Sequence, residues 1–440
     1  MKYNAAPAVL YRKVRIPDAF LTRTRFEGRN LSFGGDLRLG DLTGDGRADL
    51  LVYRCDTASE LKPCFLGAFT LDGEILWRDG QGGAQPLRPC SVSIHDIDGD
   101  GRSEVICFFH RPDGVASKTS LRDVAIQIRD GATGALKQES RPEAFKACNG
   151  WAANWFHQRL LIANLRGTAV PGDIVVKLGE RVLAFDRNLD LLWDYVIPWN
   201  EYGRCSAYIP AVGDLNGDGR DEVLGGYFIL GSDGAPRWEC RLAPNMDSVC
   251  IQPWDNGRMR AICSGGGHVL DEDGGVILAL GEGMVPHGQE IRVADFLPDE
   301  PAPQMAIRYR GHHPDVLVAD NGGRIVRRFQ LNRSPNETGM EAVYWHGSDA
   351  PAMLYNGGTL FHGNGDPAVV LPGLPPPAGP EKMGWYHAVP ANLCGDDRED
   401  LLVYNPWSDA AYIYTPAPFD PSAYAGYRPG PRQYNARLMD

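Results

Sequence analysis

The chain has 440 residues, of which 52 are Gly and 33 are Pro, and its formal net charge is −12. This acidic balance argues against nucleic acid as a partner, because binding to phosphates needs a basic surface. A stretch of about 18 apolar residues does not occur, so the sequence predicts no membrane-spanning helix.

An acidic sequence motif recurs along the chain between short apolar runs. Its most complete copies begin at Asp41, Asp96 and Asp214, and degenerate copies begin at Asn164, Asp295 and Asn392. Each copy joins two apolar runs, which predicts a strand, an acidic turn and a second strand. The steps between copies are 55, 68, 50, 81 and 97 residues. The last two steps are each about twice the roughly 40–50 residues of a four-stranded propeller blade.

Two blades without an acidic loop therefore belong in the long steps. Their strand pairs are predicted at 248–254 with 259–263, and at 341–344 with 352–355. A second repeat supports this count, because each blade also needs an outer hairpin, and dipeptides such as Asp-Gly and Asn-Gly favour hairpin turns. The predicted turns are Asp72-Gly73, Asp130-Gly131, Arg187-Asn188, Asp233-Gly234, Asp273-Gly274, Asn321-Gly322 and Asn364-Gly365.

These repeats predict an all-β fold, a single β-propeller domain over residues 1–440. Seven blades are complete in the sequence, and an eighth would combine strands at 401–404 and 411–414 with an N-terminal strand at 8–16. Such closure removes free sheet edges. Seven blades are the alternative, if one of the two units without an acidic loop is a long insertion instead of a blade.

The acidic loops are candidate metal sites. In the second loop Asp96, Asp98 and Asp100 alternate with Gly, and Glu104 follows; the loop from Asp214 is the other complete one and adds Asn216 and Asp218. Alternating carboxylates on a compact loop bring their oxygens together, as calcium requires. Calcium is therefore the expected cofactor. The alternative is that these side chains only cap their own backbone, which stabilises such a loop without metal.

A propeller places all its acidic loops on one face, so chemistry is expected at the opposite rim of the channel. Counting six residues back from the first loop residue, or six forward from the last acid, predicts the residues of that rim. Before the loops the count gives Cys90, Gln158, Tyr208, Gln289 and Tyr386, with His157, His287 and His387 close to three of them. After the loops it gives His110, with Arg308, Tyr309 and Arg310 at the corresponding place in the sixth blade and Lys177 near the end of the second strand of the third. The set is rich in His, Tyr and Arg and poor in carboxylate. The alternative for the aromatic residues is that they plug the channel.

A rim without paired carboxylates does not suit ordinary glycoside hydrolysis, which needs two of them. It suits β-elimination on a uronic acid. Arg or a metal ion neutralises the substrate carboxylate and so acidifies the neighbouring carbon, and His or Tyr groups move the protons.

Segments along most of the chain resemble the β-propeller polysaccharide lyases, a group that includes rhamnogalacturonan lyases, ulvan lyases, and rhamnose-glucuronate lyases with their rhamnosidase relatives. The segments are 159–167, 173–177, 287–299 and the Pro-Arg-Gln-Tyr-Asn ending at 431–435. The resemblance implies cleavage beside a uronic acid linked to rhamnose, with His and Tyr as base and acid. His110 fits one of the two His positions of ulvan-lyase-like members, but Cys90 or Arg88 stands where the other would be.

The predicted catalytic residues are His110 and Tyr208 for proton transfer, Arg310 for the substrate carboxylate, and His157 as an alternative to the missing His. The predicted substrate contacts are Arg204, Lys177, His287, Tyr386 and Arg308, with Trp155 and Trp385 as candidates for stacking on sugar rings or for core packing. The expected partner is an anionic glycan containing rhamnose and uronate, bound by a monomer.

Two other functions stay open. One is an α-rhamnosidase-type hydrolysis at the same rim, and the other is a calcium-stiffened propeller for adhesion or sugar binding without catalysis.

The chain starts without the apolar core of a signal peptide, so we expect a cytoplasmic protein, or a secreted one whose signal precedes this chain. Cys55 and Cys64 flank a predicted hairpin and could form a disulfide, but we expect buried free thiols instead.

Overall fold

The computed structural model describes residues 4–56, 62–85, 92–110, 124–147, 159–198, 206–244, 246–311, 313–331, 339–379, 384–423 and 425–435. Within these residues the chain is almost entirely β-structure. Its helices are one short α-helix, α1 (Glu143–Ala147), and 3-10 turns at Asp18–Phe20, Asp255–Gly257, Pro421–Ala423 and Gln433–Asn435. None of the helices in the described ranges has the length and apolar character that crossing a bilayer would need.

The strands form eight four-stranded antiparallel sheets and one separate hairpin. The chain begins with β1 (Ala8–Arg15) and the hairpin β2 (Thr22–Phe26) and β3 (Arg29–Phe33). Blades 1 and 2 follow with β4 (Asp36–Gly40), β5 (Asp49–Cys55), β6 (Pro63–Thr70), β7 (Ile75–Gly80), β8 (Val92–His95), β9 (Glu104–His110), β10 (Val124–Asp130) and β11 (Leu136–Ser140). Blades 3 and 4 are β12 (Arg159–Ala163), β13 (Asp173–Leu178), β14 (Arg181–Phe185), β15 (Leu191–Val196), β16 (Ser206–Gly213), β17 (Glu222–Gly226), β18 (Phe228–Leu230) and β19 (Pro236–Glu239).

The second half of the ring repeats the same order. Blades 5 and 6 are β20 (Val249–Pro253), β21 (Met259–Cys263), β22 (His268–Leu270), β23 (Val276–Ala279), β24 (Glu290–Ala294), β25 (Gln304–Arg308), β26 (Asp315–Ala319) and β27 (Ile325–Gln330). Blade 7 and the C-terminal strands are β28 (Glu341–Val343), β29 (Met353–Asn356), β30 (Thr359–Phe361), β31 (Pro367–Val370), β32 (His387–Ala391), β33 (Asp400–Tyr404) and β34 (Ala410–Pro416). The two blades predicted without acidic loops are therefore present as blades 5 and 7.

The N-terminal strand closes the eighth blade, as predicted. Strand β1 pairs antiparallel with β34, from Ala8 opposite Pro416 to Arg15 opposite Ala410. The resulting sheet has the order β1-β34-β33-β32. The eight-bladed prediction is thus confirmed, and the seven-bladed alternative is wrong.

The first strand of each blade lies innermost, because first strands of successive blades contact one another from β4 to β32. The apolar core lies between blades. For example, Leu37 and Leu39 of β4 share a cluster with Val389 and Ala391 of β32, which joins blade 8 back to blade 1.

The repeated turn followed by Trp has a packing role between blades. The Trp77 indole of blade 1 donates to the Gly131 carbonyl in the turn of blade 2 at 2.6 Å. Blade 3 does the same to blade 4, where Trp193 donates to the Ser232 carbonyl at 3.0 Å. A Cβ atom added to Gly234 would lie 2.5 Å from the Trp193 ring, and Gly234 has φ +78°. The turn therefore needs Gly for its backbone angle and for this close approach.

Cys55 and Cys64 do not form a disulfide. Both side chains are buried free thiols, as expected. Burial raises the pKa of the Cys64 thiol to about 11, so it is a poor nucleophile at neutral pH.

Candidate active site

The two faces of the propeller are built from opposite ends of the strands. We call the face of the acidic loops, where each first strand ends, the lower face. The upper rim comprises the residues where the first strands begin and the second strands end. In blade 1 these are Asp36 at the start of β4 and Asp56 just after β5.

The C-terminal segment, residues 425–435, crosses the lower face. Its backbone donates to the Asn392 carbonyl of blade 8 at 3.0 Å and to the Gly46 carbonyl of blade 1 at 2.7 Å. Further contacts are made by Tyr434 with the His95 ring of blade 2 at 4.3 Å, by Asn435 with the Ile162 backbone of blade 3 at 2.8 and 2.9 Å, and by Arg432 with Asp221 of blade 4 at 2.6 and 2.8 Å. The chain itself therefore occupies the lower mouth, so a large ligand would approach the channel at the upper rim.

A layer of polar residues lies where the first and second strands pair at the upper rim. In four blades the first residue of the inner strand is a buried polar residue, and so is the residue opposite it. The pairs are Asp36 with Tyr53, Arg159 with Lys177, Glu290 with Arg308, and His387 with Tyr404. All eight side chains are at most 3% exposed. We refer to these four pairs as the rim layer.

In blades 8 and 1 the rim layer forms a continuous network. The carboxylate of Asp36 accepts a hydrogen bond from the Tyr53 hydroxyl at 2.5 Å and another from the Tyr404 hydroxyl of blade 8. The Tyr404 ring lies 5.7 Å from the His387 ring. The buried carboxylate of Asp36 thus holds the hydroxyl groups of Tyr53 and Tyr404 in place, because a buried hydrogen-bond acceptor needs donors.

In blade 6 the rim layer is an ion pair. The Arg308 guanidinium lies 3.5 Å from Glu290, and both are 1% exposed. Glu290 also accepts from the Met340 backbone at 3.1 and 3.2 Å and from Arg292 at 2.9 Å. The negative charge of Glu290 is therefore matched by two guanidinium groups.

Blade 3 differs, because both members of its pair are cationic. Arg159 is fully buried and Lys177 is 3% exposed, and they stand directly opposite each other on β12 and β13. Like charges opposite each other on neighbouring strands repel.

Blade 2, the neighbour of blade 3, contributes His110 from the end of β9. His110 is 7% exposed, and its Nε2 lies 3.6 Å from Asp56 of blade 1. The buried ammonium of Lys62 lies 3.9 Å from the same carboxylate. The His110 Nδ1 atom has no hydrogen-bond partner within the described part of the chain. His110 is thus a buried imidazole with one carboxylate nearby.

Several predicted site residues cannot be located. His157, Arg204, Cys90 and Gln158, like the two Trp candidates for sugar stacking, lie outside the described residues. Tyr208 lies within β16, but nothing is described of its side chain. The roles of these residues stay predictions.

The remaining predicted residues occupy different environments. Lys177 and Arg308 belong to the rim layer. Tyr386 packs in the core between blades 7 and 8, where it is 3% exposed. His287 is half-exposed and lies 3.2 Å from the Asp247 carboxylate. The Arg310 side chain is 59% exposed and pairs with Asp315 at 3.3 Å. Arg310 belongs to blade 6, on the opposite side of the eight-bladed ring from His110.

Sequence reasoning missed most of the rim layer through a shift of one residue. Four first strands begin five residues before the loop, whereas six were counted. Successive residues of a strand point to opposite faces, so this shift exchanges one face for the other. The count found Tyr386 in the core instead of His387, and Gln289 instead of Glu290. A count of five would also have found Asp36 and Arg159.

The expected scarcity of carboxylates at the upper rim is wrong. Asp36, Asp56, Asp247 and Glu290 all lie there, and each is less than half exposed. A hydrolytic site is therefore not excluded by residue type alone. Asp56 and Lys62 carry no repeat signal in the sequence, so only the folded chain brings them to His110.

On the lower face, the acidic loops share one internal hydrogen-bond scheme. The first Asp accepts from the backbone at the fourth, fifth and sixth positions, as Asp96 does from Gly99, Asp100 and Gly101 at 2.7–3.0 Å. Asp214 repeats this pattern with Gly217, Asp218 and Gly219. Asp100 and Asp218 each accept from the residue two positions on. The loops are thus stabilised by their own backbone, as the metal-free alternative predicts.

One group of carboxylates could hold a metal ion. Oxygens of Asp96, Asp98 and Glu104 lie within 4.8 Å of one another. However, the Lys137 ammonium lies 2.6 Å from Asp98 and 2.8 Å from Glu104. Its hydrogen bond lowers the pKa of Asp98. The residues of this loop therefore do not fit calcium as they stand.

The blade 4 loop has no such cation at its last acid. Asn216 Nδ2 donates to Glu222 at 2.9 Å, and the Leu215 backbone donates to its other oxygen at 2.9 Å. Burial raises the pKa of Glu222 to about 7. Nothing in this loop identifies calcium, so calcium at Asp214, Asn216 and Asp218 stays a prediction.

The fold is that of known polysaccharide lyases. A rhamnogalacturonan lyase, YesW, has a TM-score of 0.70 and 18% identity, covering 93% of this chain and 76% of its own. The Bacillus licheniformis rhamnogalacturonan lyase PL11 has a TM-score of 0.72 at the same identity and coverages. The exotype rhamnogalacturonan lyase YesX has a TM-score of 0.67 and 18% identity, with coverages of 96% and 84%. The resemblance to propeller lyases is thus confirmed at the level of the fold.

The same fold also occurs in a protein of another kind. The Vibrio cholerae biofilm matrix protein Bap1 matches with a TM-score of 0.57 and 13% identity, covering 99% of this chain and 93% of its own. No protein-family model and no curated protein matches the sequence. The fold alone therefore does not decide between catalysis and binding, and the argument for function rests on the rim.

Proposed function

We propose that this protein is a polysaccharide lyase that cleaves a rhamnose–uronic acid linkage by β-elimination at the upper rim. The observation that carries the proposal is the buried pair of cations in blade 3, Arg159 and Lys177, beside the blade that bears His110. A uronate carboxylate is an anion of the size and charge that two neighbouring cations stabilise. The likeness to the rhamnogalacturonan lyases in fold supports the same class of reaction.

In the proposed reaction the cations of blade 3 hold the uronate carboxylate and draw electron density from it. The proton on the adjacent C5 becomes acidic, and the His110 imidazole removes it. The C5–H electrons form the C4=C5 double bond, and the C4–O bond breaks toward the leaving sugar. A phenol, for which Tyr208 remains the candidate, protonates the leaving oxygen. Asp56 keeps the His110 ring oriented and stabilises the imidazolium that forms.

This assignment changes one predicted role. Arg310 was predicted to neutralise the carboxylate, but its guanidinium is exposed, pairs with Asp315 and lies across the ring from His110. Arg159 and Lys177 are nearer to His110 in blade order and are shielded from water. A charge in a buried site acts more strongly than one in solvent. We therefore assign carboxylate neutralisation to blade 3.

The test is ultraviolet absorbance of the unsaturated uronate, measured on gum arabic, ulvan and rhamnogalacturonan with and without chelator. We expect absorbance to rise with the wild type and the rate to fall at least about 100-fold in His110→Ala, the usual contribution of a proton-transfer group. His362→Ala, at a partly buried His in the outer hairpin turn of blade 7, is the control and should retain the rate. Equal rates for both variants would refute the role of His110.

Hydrolysis is the second candidate, and the carboxylates found at the rim favour keeping it. Asp36, Asp56 and Glu290 supply the residue type that glycoside hydrolysis requires. Release of rhamnose without a rise in absorbance would establish hydrolysis and reject elimination. Binding of the glycans without release of unsaturated uronate or of rhamnose would support the third function, a non-catalytic, sugar-binding propeller.

A further inference from the structure

We propose that the ammonium group of Lys137 is a built-in cation of the acidic loop in blade 2, where it takes the place of a divalent metal ion. This inference concerns the lower face and does not depend on the proposed function. Lys137 lies near the start of β11, and its Nζ is 2.6 Å from Asp98 Oδ2 and 2.8 Å from Glu104 Oε1. These two residues belong to the one carboxylate group that could hold a metal in the described part of the chain.

Most of the other carboxylate oxygens of this group already accept backbone hydrogen bonds. Both oxygens of Asp96 already accept backbone N–H groups. The second oxygen of Glu104 accepts from the Ile97 backbone at 3.1 Å. The two oxygens of the group that accept none of these backbone hydrogen bonds, Asp98 Oδ2 and Glu104 Oε1, are both bound by Lys137. A calcium ion needs six to eight oxygens at this position and would have to displace the ammonium.

Comparison of the three full loops shows why this blade needs a cation. The last acid of each loop is buried and requires a donor. In blade 1 the Thr43 hydroxyl at the third loop position donates to Asp49 at 3.1 Å, and in blade 4 Asn216 donates to Glu222 at 2.9 Å. In blade 2 the third position is Asp98, and a carboxylate has no proton to donate. The Ile97 backbone N–H serves one Glu104 oxygen, so the other needs a cation from outside the loop: the Lys137 ammonium, which donates to it, or a metal ion, which it would ligate.

The position of Lys137 is specific to blade 2. It is the second residue of the outer strand β11, and the corresponding residues are Leu76 in blade 1 and Arg237 in blade 4. Leu76 carries no charge, and Arg237 pairs with Asp233 at 3.3 Å. The carboxylate at the third loop position, Asp98, and the cation that neutralises it, Lys137, therefore occur in the same blade.

The test compares calcium binding by the wild type and by Lys137→Met, using isothermal titration and terbium luminescence on the whole chain. We expect Lys137→Met to bind one more ion per chain than the wild type. Its thermal midpoint should be lowered in chelator and recovered by calcium. With calcium at 100 times the Kd of the new site, the folding equilibrium should shift by about 100-fold.

Three further variants make the result decisive. Arg237→Met removes a cation from the equivalent position of blade 4 and should add no site. Lys137→Arg keeps the charge and should behave as the wild type, so it distinguishes loss of the cation from general damage. Lys137→Met combined with Asp98→Asn should lose the added site. Equal stoichiometry in the wild type and Lys137→Met, or loss of a bound ion when Asp98→Asn is made alone, would overturn the proposal.

Discussion

The network around Asp36 gives a prediction whose size can be worked out from the structure. Tyr53→Phe removes one of the two phenol donors to this buried carboxylate without changing the shape of the core. A hydrogen bond to a charged group contributes about 1.5–3 kcal/mol, against about 0.5–1.5 kcal/mol between neutral groups. We therefore expect the free energy of unfolding to fall by about 1.5–3 kcal/mol.

The matched control is Tyr227→Phe. Tyr227 is fully buried, like Tyr53, but its hydroxyl contacts the Gly265 carbonyl and the His268 ring, neither of which is an anion. Its loss should cost about 0.5–1.5 kcal/mol. Urea unfolding followed by circular dichroism measures both variants under the same conditions.

The double variant tests whether the two phenols act together. Tyr404→Phe combined with Tyr53→Phe removes both phenol donors, so its cost should exceed the sum of the two single costs. Simple additivity would show that the phenols act independently. If Tyr53→Phe cost no more than Tyr227→Phe, the carboxylate would not be the charged acceptor that this reasoning assumes, and the network would be refuted.

Two further predictions concern the lower face. The raised pKa of Glu222, about 7 against 4.5, means that the folded chain binds this proton more tightly than the unfolded chain. The stability that protonated Glu222 gives the folded chain is therefore lost as pH rises from 4.5 through 7. Glu222→Gln should raise the urea midpoint relative to the wild type at pH 8, with the difference vanishing near pH 4.5; a constant difference would contradict this. Arg432→Met breaks a pair with buried Asp221 at 2.6 Å and should cost about 1–3 kcal/mol in the same assay. The exposed pair of Arg237 should cost under about 1 kcal/mol when broken, and equal costs would show that the C-terminal segment is not anchored there.

The blades were predictable because their signals are local. The turn at Asp96 and the hairpin at Asp233 each specify their own strands within a few residues, and eight such units can close only with β1 beside β34. The prediction needed no knowledge of contacts between distant residues.

The site was predictable only in part, because it depends on strand register and on distant contacts. A count of six instead of five residues selected Tyr386, which packs in the core, in place of His387. Lys137 reaches Glu104 across 33 residues of sequence, and Arg432 reaches Asp221 across 211. No local pattern carries such pairings.

The residue that begins the first strand differs in chemistry from blade to blade. Blades 2 and 5 carry Val92 and Val249 there, which pack with apolar clusters, whereas four other blades carry a buried polar residue. In this chain that position holds a carboxylate in blade 1, a cation facing a cation in blade 3, an ion pair in blade 6 and an imidazole in blade 8. Of these four pairs, only that of blade 3 joins two like charges, and it is the pair to which we assign the uronate carboxylate. Under that proposal, the bound uronate lies beside the blade that carries His110.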